Sequence, residues 1–317
     1  MKKLLSVLLA CLLTAACAAQ GEPDLPAPSP TLALDLPRND EGIPALSVYV
    51  TAQETIIPMD LETYVAGVVA GEMKNDWPLE ALKAQAILAR TFVLRFVSEK
   101  ESRYEGADIS TDIEEAQAYD ESAVNDRVRQ AVEETAGLVL LTPGGTLPYT
   151  WFHAHSGGMT AQAREGLGWK EAEPAYTLVT EGLESDEAPA EARAWSADFP
   201  VSTFTNACRK TGADVTGAGK VSVLERGESG RALTLSVDGS QVSAPELRLA
   251  LGSTVMRSTL LTELSSDGQT VHMAGKGYGH GVGMSQWGAY AMAKDGQDAK
   301  QIIDHYYKDV AIEKLWS

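Results

Sequence analysis

Cysteine is nearly missing from this sequence. Of three in 317 residues, Cys11 and Cys17 fall within the first seventeen positions. Cys208 is left alone, so no internal disulfide can hold the main body, and a lone buried thiol is its expected state. Positive charge is scarce as well. Lys and Arg number 26 against 44 Asp and Glu, a formal net charge of −18. Such a chain lacks the basic patch that grips phosphates, which argues against a nucleic-acid partner and suits a neutral or glycan ligand. Long apolar runs are also lacking. Leu4 to Leu13 is apolar but short for a bilayer, and no later segment is long and apolar enough to span one.

That first stretch reads as a targeting segment. Lys2 and Lys3 precede the apolar run, and small residues follow it. Thr14-Ala15-Ala16-Cys17 is similar to a bacterial lipobox, with residues 1–17 as the signal peptide and Cys17 as the lipidated residue. Thr14 stands where leucine is usual, so ordinary secretory cleavage is the alternative. The expected location is extracytoplasmic, either anchored through the lipidated N-terminus or secreted; stable anchoring needs more than one acyl chain. Residues 18–45 carry Pro23, Pro26, Pro28, Pro30 and Pro37 among acidic and small residues. They read as an extended Pro-rich linker. Residues 46–317 remain, about 270 residues, enough for one large domain or two closely packed ones.

Within this body, Leu61, Tyr64, Val65, Val68 and Val69 follow the i, i+3, i+4, i+7, i+8 spacing of one helix face, with Asp60 as N-cap. The pattern breaks at Gly71-Glu72-Met73. Glu72 ends a mostly apolar run. It is either a solvated helix-end carboxylate or a buried one whose pKa is raised, able to carry a proton at neutral pH. A second helix is predicted from Leu79 to Val97 behind Pro78. Strands are predicted over 46–57 and 138–141, a helix over 126–135, a β-hairpin over 221–237 and a short helix over 242–251. Helices and short strands are mixed, so the fold class is α+β.

Two further stretches carry chemistry. Pro148 to Thr160, PYTWFHAHSGGMT, reads as an aromatic strand entering a small-residue turn. His153 and His155, two apart on a strand, would point the same way, either as metal ligands or as one buried histidine beside a turn. Trp169 and Trp195 suit packing or stacking on sugar faces. Gly275 to Gly288, GKGYGHGVGMSQWG, holds six glycines in fourteen residues. It is a structural glycine loop or a close-approach ligand loop, and it lacks the context of a dinucleotide fold.

LETYVAGVVAGEM with LEALKAQAILARTF, the strand ending in SGG, and GHGVGMSQWGA followed by IIDHYYKDVAI together resemble the stage II sporulation protein D family, the SpoIID/LytB domain. The resemblance covers about residues 46–312. It implies a single curved mixed domain with a substrate groove. It also implies a peptidoglycan lytic transglycosylase, which cleaves the MurNAc–GlcNAc bond, chiefly in peptide-stripped strands, to give 1,6-anhydro ends. The family's catalytic glutamate maps onto Glu72. His155, Ser156, Gly157, His280 and Gln286 match site-lining stretches, and Lys83, Gln85 and Arg90 match the following helix, with Gln85 and Arg90 as supporting residues. Some members bind zinc through a cysteine and histidines; the matching loop here, DIEEAQAY, has neither, so no cofactor is expected. Expected partners are glycan strands, a cell-wall amidase and a membrane-anchored complex. Two alternatives stand beside the enzyme: a non-catalytic amidase enhancer, and a metal-dependent hydrolase using His153, His155 and His280.

Overall fold

Alternation and capping explain how the described chain begins. The structure, a computed structural model, describes residues 36–316. The expected signal peptide, Cys17 and the linker as far as residue 35 lie outside the described residues. Strand β1 (Ala45–Val50) buries Leu46, Val48 and Val50 and pairs antiparallel with β2 (Thr55–Asp60). Asp60 then caps helix α1 (Leu61–Glu72), its carboxylate accepting the Thr63 N–H at 2.9 Å. The helix runs three residues beyond the predicted face, so Glu72 is its last residue.

Helix α2 (Leu79–Glu99) starts behind Pro78 and is buried over most of its length. Its alanines let α1 pack closely. Leu61, Tyr64, Val65, Val68 and Val69 are all fully buried against it; burying a side chain of this size contributes about 1.5–3 kcal/mol. Strand β3 (Ile109–Ser110) joins β1 in parallel, helix α3 (Asp126–Glu134) packs on α1 and α2, and β4 (Leu138–Leu141) follows. Arg90 fastens this body. Its guanidinium takes both carboxylate oxygens of Glu62 and the Leu138 carbonyl, while Glu62 also accepts from Gly137 N–H and the Trp316 indole.

The aromatic stretch forms a regular strand only at β5 (Phe152–His153). Its partners further on are isolated bridges, His155 with Tyr278 and Ala161 with Val282. Positive φ angles at Gly157, Gly158, Gly277 and Gly279 interrupt what alternation alone makes a continuous ladder. Short helices α4 (Ala163–Leu167) and α5 (Ala190–Arg193) lead to β6 (Ala194–Pro200), a strand the acidic sequence there did not announce.

A second core then assembles. Helix α6 (Val201–Lys210) precedes β7 (Val221–Arg226), β8 (Ala232–Val237) and β9 (Ser240–Ser243), an antiparallel sheet that includes the predicted hairpin. Helix α7 (Ala244–Leu251) is followed by β10 (Leu261–Ser266) and β11 (Thr270–Lys276), which pairs with β6. Trp195, Phe199, Phe204, Cys208, Leu235, Leu247 and Met273 form this core. The chain returns to the first core through β12 (Met284–Ser285), parallel to β5, then α8 (Gln286–Lys294), α9 (Ala299–Tyr306) and β13 (Ala311–Lys314), which pairs with β4. The whole is an α+β domain. Among the described residues, no helix is long and apolar enough to cross a membrane.

Candidate active site

Glu72 stands at the C-terminal end of α1, facing a cleft of about 340 Å³. The residue keeps part of its surface open to the cleft while its carboxyl is surrounded by protein. Two donors hold it. Ala118 N–H reaches Oε1 at 2.8 Å, and the Gln286 side-chain amide approaches Oε2 at 3.4 Å. Gly71 permits the first contact. A Cβ there would sit 2.7 Å from the Tyr119 nitrogen and 2.8 Å from the Ala118 carbonyl carbon, so only glycine lets that loop come so near. Gln286 is placed by the start of α8, where Ser285 caps the helix. Burial raises the Glu72 pKa, and the two hydrogen bonds oppose it without cancelling it. Glu72 is the one acid among the described residues lining the cleft.

The opposite wall is the glycine loop against β5. His153 Nδ1 lies 3.1 Å from the Val282 carbonyl, which can only accept, so Nδ1 carries the proton. His153 Nε2 is then an acceptor, and it finds no partner in the protein. His280 Nδ1 accepts the Val282 N–H at 3.0 Å, and its other nitrogen donates toward the Phe152 carbonyl. Burial lowers both imidazoles, His280 to about 3, with Arg248 and Arg231 adding to the effect there. Both are therefore neutral at pH 7. Beneath the loop, Arg231 is fully buried and donates to the Ser156 and Met159 carbonyls. Gly281 has φ +85°, and a Cβ on it would overlap that guanidinium.

Of the residues expected here, Glu72, His280 and Gln286 meet in one cleft. His155 and Gly157 line a neighbouring pocket of about 470 Å³ with Glu184, Asp186, Arg193 and Lys276. Ser156 is buried at its back, its N–H donating to Glu184 at 2.6 Å. Glu184 also accepts from the Ser285 hydroxyl at 3.0 Å, so it ties the SGG turn to the segment that carries Gln286. Arg90 serves the α1–α2 clamp, and Gln85 is buried in α2 with both amide atoms unpaired. Lys83 bridges Glu80 and Glu134.

Sequence reasoning missed three residues at these sites. Gln117 lines the cleft, buried, with neither amide atom paired. Arg248 lines it from α7, and Glu184 lines the neighbouring pocket. A charge between Leu247 and Leu249 was a readable sign for Arg248. The acidic run around Glu184 concealed a member whose side chain is mostly covered.

The donor set does not suit a zinc ion. His153 and His155 open into different pockets, and no group of three or more His, Cys, Asp or Glu among the described residues is placed to hold a metal.

Fold and cleft together define an α+β protein with a single buried carboxyl at an opening of ligand size. The family model for stage II sporulation proteins matches residues 49–141, and a model for a domain of unknown function matches residues 177–283. The stage II sporulation protein D of Bacillus amyloliquefaciens is 30% identical over 296 residues, covering 88% of this chain and 81% of that protein. Its Bacillus subtilis (strain 168) namesake is 29% identical over 290 residues, covering 85% and 79%. The amidase enhancer of the same strain is 27% identical over 287 residues, covering 76% of this chain and 39% of that protein. The chain belongs to the stage II sporulation protein D family.

Proposed function

We propose that this protein is a peptidoglycan lytic transglycosylase, with Glu72 as its single acid and base, acting outside the cytoplasm in sporulation or wall remodelling. The observation that carries the reading is the Glu72 carboxyl: largely enclosed by protein, raised in pKa, at the edge of the cleft and without a second acid among the described residues that line it. A hydrolase of the common kind needs two carboxylates, one of them to activate water or to act as nucleophile. A transglycosylase needs one.

Ala118 N–H holds Oε1 as an acceptor at 2.8 Å, and Oε2, with only the longer Gln286 contact at 3.4 Å, carries the proton. Oε2–H protonates the glycosidic oxygen as its bond to C1 of the muramic residue breaks. The C6 hydroxyl of the same sugar then attacks C1, and its proton passes to the Glu72 carboxylate. The ring closes as the 1,6-anhydro product and the acid is restored. Water takes no part, and the intramolecular attack gains from proximity. Gln117 and His153 lie on the cleft wall with buried, unpaired side-chain atoms, and Phe92 and Trp151 offer apolar surface to the sugar.

The test is a digest of peptide-free glycan strands by wild type and Glu72→Gln, with products read by mass spectrometry. Products lighter by one water, from wild type alone, are expected. Reducing ends would overturn the mechanism.

The likeness to an amidase enhancer supports a second reading, stimulation of a cell-wall amidase without cleavage of glycan. In that case neither protein cuts the strands, and both accelerate release of stem peptides by the amidase. In either reading the anchor is lipidated Cys17, tested by labelling cells with a clickable fatty acid beside Cys17→Ala.

A further inference from the structure

The Glu72 cleft contains a cation that the reaction above does not use. Arg248 enters from α7 and is 8% exposed. Its Nε donates to the Arg257 carbonyl at 3.1 Å, and Nη2 lies 3.5 Å from the Ser253 carbonyl. Nη1 has no acceptor among the described residues. The other deeply buried arginines have acids to answer them: Arg90 is paired with Glu62, and Arg231 feels Glu165 and Glu184. Among the described residues the Tyr278 hydroxyl is the one group that favours the charge of Arg248, and burial lowers the guanidinium pKa to about 10, which leaves it charged at pH 7. Burial, Ala118 and Gln286 account for the raised pKa of Glu72, and Arg248 makes no hydrogen bond to it. A buried cation without a counter-ion is costly to the fold, and a guanidinium is shaped to take a carboxylate through paired N–H groups.

The glycan supplies one kind of anion. MurNAc and GlcNAc are neutral apart from the lactyl group on the muramic residue. With a stem peptide attached that group is an amide; once the peptide is removed it is a free carboxylate. We propose that Arg248 is a specificity residue of the cleft, receiving the lactyl carboxylate of peptide-free muramic acid. This rests on the transglycosylase reading of the same cleft.

Peptide-free strands can be divided, half kept as the free acid and half converted to the lactyl methylamide with carbodiimide and methylamine. Binding of both to the full chain carrying Glu72→Gln is measured by calorimetry, and cleavage is measured with wild type. The acid form should bind about 10–100-fold more tightly, the range of charge-assisted hydrogen bonds. Arg248→Met in the same background should abolish the preference, and Arg248→Lys should keep part of it. Equal binding of the two strands, binding of neither, or a preference that survives Arg248→Met would each overturn the proposal. If Arg248→Met fails to fold, the acid–amide comparison on the intact cleft still decides. Acid-selective binding with no cleavage by wild type would leave Arg248 as the receptor and remove the transglycosylase.

Discussion

The two cores of this molecule are built on different plans. The first rests on α1 and α2, where nearly every inward residue is fully buried and a buried ion pair fastens the helices. The second is made of small antiparallel sheets with single buried faces, laid over α6 and α7. The first carries Glu72 and Gln286. The second brings Arg248 and Tyr278 to the same cleft. The acid thus sits on the drier and more tightly fastened part, which suits a group whose pKa depends on exclusion of water. The cation comes from the part whose strands and loops are more exposed.

The sharpest way to break this division is at the acid. Glu72→Gln should lower glycan cleavage by about 10²–10⁴-fold. The same change should not cost stability at neutral pH. Because the folded pKa of Glu72 is raised, its contribution to stability is full below the ordinary carboxylate value and is lost as pH rises through the folded value. Thermal melts should therefore show wild type losing stability relative to Glu72→Gln as pH climbs from that ordinary value. A wild type that gains on the variant over the same range would contradict the burial.

Arg90→Ala attacks the frame of the first core. It leaves the largely covered Glu62 carboxylate without its counter-ion, with only the Gly137 and Trp316 donors remaining, a loss of about 3 kcal/mol in chemical denaturation. Replacing both partners, as Glu62→Gln with Arg90→Met, should restore much of it. Gly71→Ala is smaller. Helix propensity favours alanine by about 1 kcal/mol, yet the Ala118–Tyr119 backbone must retreat from the new methyl, at a cost of about 1–3 kcal/mol. The net should be a modest destabilisation in the same assay, with Glu72 shifted upward as its Ala118 contact loosens.

Gln286→Ala should act least. The amide it removes favours the carboxylate, so Glu72 should rise further. Activity that needs the protonated acid falls as pH passes its pKa. The descending limb of the pH–rate profile should therefore move to higher pH, with the plateau changed only several-fold.

The first core was readable because local signals agreed with its packing. Apolar spacing marked α1, Asp60 and Pro78 marked the starts of α1 and α2, and turn residues bounded β4. Half of the cleft followed, since Glu72 interrupts an apolar helix and Gln286 ends a glycine loop. The rest depends on contacts distant in sequence. Alternation put His153 and His155 on one side of a strand, but the regular ladder ends at His153, His155 makes an isolated bridge with Tyr278, and the two line different pockets. Glu184 lies in a segment whose local pattern is ordinary, and the leucines flanking Arg248 hint at its burial without saying what it faces. Their burial is decided by which loop folds over them.

Cys208 has a practical consequence. It is the free thiol of the described residues, fully buried in the second core and pushed up to about 11 by burial. In the closed protein it is both hidden and un-ionised, so a maleimide or disulfide reagent has nothing to attack. Labelling must wait for that core to open. Its rate across a denaturant series is a stopwatch for the opening of one half of the molecule, read without adding any foreign reporter.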